Sequence, residues 1–219
     1  MFTGIIEATG VIAKKQPTGG DCRLLIRSEK LDFSDVKLGD SIATNGVCLT
    51  VTGFESQAYW ADVSNETLRL STLVNLPVGA PVNLEKAMLA SSRFGGHIVS
   101  GHVDGVGRVE HLVNDGRSVR IEVSAPEALR RYIAHKGSIT VDGISLTVNE
   151  LSATGFLLNI VPHTARETVI QHYRAGTEVN LEVDVIARYL EQLLSGNKAA
   201  DSKTSVLDAA FLAQHGFYK

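Results

Sequence analysis

The sequence predicts an all-β protein: two copies of one small antiparallel barrel or sandwich in tandem, with a single amphipathic helix behind them. Three observations carry this. The chain repeats itself at a fixed spacing, its apolar residues fall in short alternating runs, and after Asp184 the alternation gives way to a helical stripe.

The repeat is clearest in "NGVCLTV", Asn45 to Val51, and "DGISLTV", Asp142 to Val148, which share four of seven positions. The shift of 97 residues that places Asn45 on Asp142 works elsewhere without gaps. It places Thr3-Gly4 on Ser100-Gly101, Gly10 on Gly107, Ser41-Ile42 on Ser138-Ile139 and Thr67 on Thr164. It also places "VGAPVNLE" (Val78 to Glu85) on "AGTEVNLE" (Ala175 to Glu182). A chain of 219 residues accommodates two such domains of about 100 residues each. The expected division is a first barrel at 1–97, a second at 98–187, and a helix and tail at 188–219.

In chain order, "MFTGIIEATGVIAKK" reads as a strand that begins almost at residue 1. "RLLIRS", "DSIATNGVCLTVTGF", "AYWADVS" and "PVNLEKA" supply further strands of the first copy. "SVRIEVS", "GSITVDGISLTVNEL", "GFLLNIVP" and "TEVNLEVDV" answer them in the second. Strands this short, punctuated by Gly, Asn and Asp, suit an antiparallel barrel or sandwich. Short helices are expected at "TLRLSTLVNL" and at "PEALRRYIAH", where Pro126 suits a helix start. "DVIARYLEQLLSG" sets Val185, Ile186, Tyr189, Leu190, Leu193 and Leu194 on one helical stripe. It has no counterpart inside the repeat, and a lone helix of this kind packs on a partner subunit or caps its own barrel, of which the partner is the expectation. The tail after it predicts at most a second short helix.

Asn-Gly and Asp-Gly between extended runs are type I′ hairpin signals, because that turn needs positive φ at both central residues. Around Asn45-Gly46, Thr44 then pairs with Val47, Ala43 with Cys48, Ile42 with Leu49 and Ser41 with Thr50. Alternation puts Ser41, Ala43, Cys48 and Thr50 on one face and Ile42, Leu49 and Val51 on the other. In the second copy Ser138, Thr140, Ser145 and Thr147 oppose Ile139, Leu146 and Val148. One face is apolar and closes a core. The other is small and hydroxyl-rich, which suits a planar ligand with polar edges and equally suits a plain solvated surface.

Composition narrows the classes. With 21 basic and 24 acidic residues the net charge is -3, so no polyanion-binding surface is indicated and nucleic acid is not expected as a partner. No apolar stretch approaches the roughly 18 residues that span a bilayer, and the N-terminus lacks the pattern of a secretory signal. Cys22 and Cys48 make no CxxC, so the expected compartment is the reducing cytoplasm. His97 and His102 sit in "FGGHIVSGHVDG" without HxH or HExxH spacing, so no metal is expected. "GHVDGVG" is neither GxGxxG nor a Walker loop. Asp62, Glu66 and Asp184 are candidates to bond a polyol or a ring amide, and each equally suits a plain surface carboxylate.

"MFTGIIEATG", "NGVCLTV", "SNETLRLSTL", "FGGHIVSGHVDG", "DGISLTVN" and "PHTARETVI" occur in this order between Met1 and about residue 190. In that joint pattern the chain resembles riboflavin synthase of the α-chain type. The resemblance implies two similar six-stranded Greek-key β-barrels and a C-terminal helix that helps assemble a homotrimer. It implies dismutation of two molecules of 6,7-dimethyl-8-ribityllumazine to riboflavin and 5-amino-6-(D-ribitylamino)uracil, with no cofactor and no metal. Two lumazines would share each site, set between the N-terminal barrel of one subunit and the C-terminal barrel of the next. Lumazine synthase is a candidate associate.

Carried over residue by residue, the resemblance groups a first substrate pocket from Gly4, Ile5, Ile6, Cys48, Leu49, Thr50, Asp62, Val63, Ser64, Asn65, Glu66 and Thr67. Their twins 97 residues on form the second: Gly101, His102, Val103, Ser145, Leu146, Thr147, Asn159, Ile160, Val161, Pro162, His163 and Thr164, joined by Lys136. Ser41, Cys48, His102, Phe2, Asp142 and Asp184 match positions linked to catalysis. Cys48 against Ser145 and Glu66 against His163 differ between copies, as two pockets with different jobs require. The rival reading is a non-enzymatic lumazine- or flavin-binding antenna protein; the intact hairpins and the presence of Cys48, His97 and His102 favour the enzyme. A flavin-domain oxidoreductase lacks its nicotinamide-binding βαβ half.

Overall fold

Residues 1–201 are described by a computed structural model, and a compact unit spans Met1–Asp184. In its first half, β1 (Ala8–Thr18), β2 (Asp21–Arg27), β3 (Ser41–Thr44), β4 (Val47–Glu55), β5 (Ala58–Val63) and β6 (Pro81–Lys86) close a barrel. The order is β1-β2-β5-β4-β3-β6, with antiparallel neighbours throughout. The period-2 runs do this by aiming Leu24, Ile26, Ile42, Leu49, Val82 and Leu84 inward, where all are buried. Tyr59 joins them, and its hydroxyl bonds Thr44 Oγ1, which a buried phenol needs.

The second half repeats the plan with one break. β7 (Gly105–Asp115), β8 (Ser118–Ser124), β9 (Ser138–Val141), β10 (Ile144–Thr147), β11 (Glu150–Leu151), β12 (Gly155–Ile160) and β13 (Glu178–Val183) form a seven-stranded sheet. Its order is β10-β9-β13-β7-β8-β12-β11, so β10 and β11 are the two halves of the strand that runs unbroken as β4. The expected six-stranded barrel is therefore a curled sheet with a divided strand. Asn149 explains the division, because its side-chain oxygen takes the Asn159 N–H at 2.9 Å in place of a main-chain acceptor. Thr52, at the matching place, is β-branched and leaves β4 continuous through a bulge between Val51 and Gly53. The second core gathers Val109, Ile121, Val123, Ile139, Phe156 and Leu181.

Helices are few. α1 (Asn65–Leu70) and a 3-10 turn at Thr72–Val74 fill the first predicted segment, and Ser64 caps α1 by accepting from the Thr67 N–H. α2 (Glu127–Arg130) is shorter than its segment. α3 (Pro162–Glu167) was not anticipated, although it is the twin of α1 at the 97-residue shift. α4 (Val185–Asp201) forms a unit of its own and runs past the predicted stripe. Ile186, Tyr189, Leu190, Leu193 and Leu194 are all exposed on it. The suggested tail helix lies outside the described residues. Among the described residues no helix is long and apolar enough to cross a membrane.

One expectation fails at the N-terminus. The first strand starts at Ala8, and residues 1–7 form an arm in which Phe2 bridges Val99. Gly4, at φ +76, turns the chain out of any ladder.

Candidate functional site

Both hairpins form with the register expected of their turns: Ser41 opposite Thr50 and Ala43 opposite Cys48, then Ser138 opposite Thr147 and Thr140 opposite Ser145. Asn45 and Asp142 sit at the tips with φ 45 and 44. The tips abut. A Cβ on Gly46 would lie 2.7 Å from Gly143 N, and one on Gly143 would lie 2.8 Å from Gly46 N.

A symmetric buried network ties these tips. Asn83 Nδ2 donates to the Asp142 carbonyl and Asn180 Nδ2 to the Asn45 carbonyl, each at 2.8 Å. Asn83 Oδ1 accepts from Val169 N and Asn180 Oδ1 from Thr72 N. Both asparagines come from the repeated VNLE motif, and their satisfied carboxamides fix the two barrels against each other.

Against this frame two arms cross. Ser145 N donates to the Gly4 carbonyl and Cys48 N to the Gly101 carbonyl, both at 2.8 Å. Ile6 packs on the second core and Val103 on the first. The expected grouping is thus corrected: Gly4 and Ile6 lie against the second barrel, Ile5 lines a separate cavity beside Ser41 and Glu85, and Gly101, His102 and Val103 belong with the first hairpin. Chain proximity does not decide the pocket, because each positive-φ glycine turns its arm onto the opposite barrel.

Two shallow recesses result. One of about 190 Å³ is lined by Val47, Cys48, Glu66, Thr67, Leu70 and the Gly101–His102–Val103 arm. The other, of about 240 Å³, is lined by Ser145, Leu146, Thr147, Asn149, Leu158, Asn159, Ile160, Val161 and Thr164. Val47, Leu70, Asn149 and Leu158 were not foreseen, although each lies within three residues of a named position in sequence.

Other named residues serve elsewhere. Ser41 lines a separate cavity of about 600 Å³ with Glu85 and Lys86. Leu49 and Val63 are core, and Thr50 is exposed. Asp62 is exposed and pairs with Arg23 at 3.7 Å, while Asn65 N donates to Asp21. Pro162 opens α3, beside an exposed His163. Lys136 is exposed at φ 64, the place where the first copy has Gly39, and its N–H donates to the Val148 carbonyl. Phe2 is fully buried in a small cluster with Ala43 and Val99, against which Cys48 packs. Phe2 therefore backs the wall and does not face the recess.

Asp142 is also buried: Oδ1 accepts from Asn180 N at 2.8 Å and Oδ2 from the Tyr173 hydroxyl at 2.6 Å. Burial pushes its carboxyl up to about 7, against the pull of both bonds.

A candidate functional residue outside the predicted pockets is His97. Its Nδ1 lies 2.7 Å from Ser145 Oγ and its Nε2 lies 3.2 Å from Thr140 Oγ1. Burial lowers its pKa, with the Asp184 charge pulling the other way, so the ring favours the neutral form. A neutral imidazole bonded to a hydroxyl and oriented by a third group is the arrangement of an activated oxygen or a relayed base. The first copy has no matching histidine, because His97 lies in the linker between the repeats.

Comparison with known proteins agrees with this geometry. The lumazine binding domain family matches residues 3–87 and again 100–184. Riboflavin synthase of Photobacterium phosphoreum is 49% identical over 217 residues, covering 99% of each chain. That of Bacillus subtilis (strain 168) is 42% identical over 218 residues, covering 99% of this chain and 100% of its own. Among solved structures, LumP complexed with 6,7-dimethyl-8-(1'-D-ribityl) lumazine superposes with a TM-score of 0.76 at 24% identity, over 84% of this chain and 99% of that one. LumP complexed with riboflavin gives 0.78 at 25% identity, with the same coverage.

Proposed function

We propose a reaction from one premise: this chain belongs to the riboflavin synthase family. It is an enzyme of riboflavin biosynthesis that converts two molecules of 6,7-dimethyl-8-ribityllumazine into riboflavin and 5-amino-6-(D-ribitylamino)uracil. One substrate donates a four-carbon unit to the other. The two products together contain the atoms of two substrates, so the balance calls for no external oxidant.

The observation that carries the mechanism is the unequal chemistry of two equivalent recesses. One lumazine must lose a proton from its C7 methyl group, and the other must be attacked at C7. In the Ser145 recess, with the His97 proton on Nε2 and donated to Thr140, Nδ1 accepts from the Ser145 hydroxyl. Ser145 and His97 then form the relayed base that takes the methyl proton. In the Cys48 recess, Cys48 and His102 flank the ring that receives the carbon unit. Thr67, Glu66, Asn159 and Thr164 supply bonds for ribityl hydroxyls and ring amides.

The size of the recesses supports an assembly. Pockets that enclose a ligand of this class measure about 300–1,000 Å³. Recesses of about 190 and 240 Å³ are half-pockets on this scale, and a second copy completes them. On this reading the active form is a homotrimer in which the Cys48 recess of one subunit faces the Ser145 recess of the next. Cytoplasmic residence and contact with lumazine synthase belong to the same reading, as does the division at 1–97, 98–187 and 188–219.

Chelator-treated pure protein should turn lumazine into riboflavin at a two-to-one ratio, followed by riboflavin absorbance. Tight binding of lumazine without turnover overturns the proposal in favour of a non-enzymatic carrier.

A further inference from the structure

The VNLE motif occurs once per barrel, and the reaction as described uses neither of its acids. We propose that Glu85 and Glu182 are crossed positioning residues, each holding the arm of its own barrel against the hairpin strand of the other barrel that carries Ser145 or Cys48. The proposal rests on the lumazine reading for what the recesses hold, and on geometry alone for the arms.

Glu182, on β13, accepts from Ser100 N at 2.7 Å and Gly101 N at 3.0 Å. Gly101 in turn bonds Cys48 through its carbonyl, and His102 follows directly into the recess. Glu85, on β6, accepts from Thr3 N and Thr3 Oγ1 at 2.7 Å and from Gly4 N at 2.9 Å. Gly4 bonds Ser145 in the same way.

Each clamp answers a local need. Gly4 and Gly101 run at φ +76 and +79, which points consecutive N–H groups away from any strand ladder. A buried carboxylate is one acceptor able to satisfy several such donors, and charge-assisted bonds of this kind are the strong ones. The fit is close: a Cβ on Gly101 would come within 2.6 Å of Cys48 Cβ, and one on Gly4 within 2.6 Å of Ser145 Cβ. Both glutamates are buried, and burial raises both carboxyl pKa values, Glu182 to about 7. The arm amides are what hold the charged form.

A thiol reagent on the native protein reads each arm. Cys48 is half-buried in its recess, and Cys22, buried in the first core, reports global opening. Glu182→Gln turns one acceptor into a donor facing an arm amide. It should speed Cys48 labelling by about tenfold while Cys22 stays protected. Glu85→Gln should leave Cys48 labelling within about twofold of the parent. With the thiol moved by Cys48→Ser and Ser145→Cys together, the pattern should reverse, and Glu85→Gln should be the variant that frees the arm packed on residue 145. Should Glu182→Gln fail to fold, Glu182→Asp, which keeps the charge but draws it back by one methylene, carries the same comparison. Equal labelling in both glutamate variants, exposure of Cys22 along with Cys48, or unchanged labelling throughout overturns the proposal and leaves a merely structural tie. None of these readings depends on riboflavin being made, so failure of the reaction and failure of the crossing are told apart.

Discussion

Asp142 stands in the second hairpin where Asn45 stands in the first, and the two differ by one ionisable proton. Its folded pKa of about 7 lies above the ordinary 3.8, so the folded chain holds the proton more tightly than the unfolded chain does. The resulting stability is complete below about pH 3.8 and is lost as pH rises through about 7. Asp142→Asn, isosteric and already used by the first copy, should gain on the parent across that window by at most about 1.4 kcal/mol per pH unit. Urea unfolding at about pH 5 and about pH 8 measures the gap. A gap that does not widen means that the carboxyl titrates normally. His97 shows the opposite sign. Its lowered pKa keeps it a base to below the ordinary 6.5, so turnover should fall only as pH drops beneath that value. His97→Gln should slow single turnover by about 10²-fold or more and remove this acid limb from the pH profile. An unchanged limb assigns the base elsewhere.

At the scale of elements, the hairpins meet tip to tip, and glycine is required there twice over. Gly46 has φ +79 and no room for a Cβ, whereas Gly39 has φ +90 with open space around it. Alanine at Gly39 meets only the cost of left-handed backbone, roughly 1 kcal/mol. Gly46→Ala adds a clash with the backbone of the opposing tip, which cannot rotate away. Its loss of stability in denaturant should exceed that of Gly39→Ala by more than about 1 kcal/mol, and both barrels should melt together. Equal losses would show that the tips separate freely.

For the molecule as a whole, α4 presents an unusually apolar surface. Tyr189, Leu193 and Leu194 are each about two-thirds exposed (68%, 67% and 68%). A contiguous patch of this kind signals a partner. Removing the chain from Val185 onward should reduce the particle to smaller species by sedimentation. With the proposed shared site, turnover per chain should fall sharply, because each recess would lose the subunit proposed to cover it. A truncated monomer with full activity contradicts a shared site.

Much of this protein is a matter of local order, and local order is written in sequence. Alternation put Ile42, Leu49 and Val51 in one core and Ile139 and Val148 in the other, and Asn-Gly and Asp-Gly set both hairpin registers. The 97-residue repeat determined that every clamp and recess would come in pairs, and even α3 was available from it as the twin of α1. Tertiary structure decided what the pairs do. The arms at Gly4 and Gly101 run onto the opposite barrels, a choice made by glycine backbone and by carboxylates 81 residues away that no period in the sequence encodes. His97 reaches Ser145 across 48 residues because the linker is wrapped back over the second hairpin, and a linker, having no twin, gives the repeat nothing to compare. Patterns of neighbours along the chain specify which faces are buried. Only packing across the chain specifies which buried faces meet, and the chemistry of this site is made where they meet.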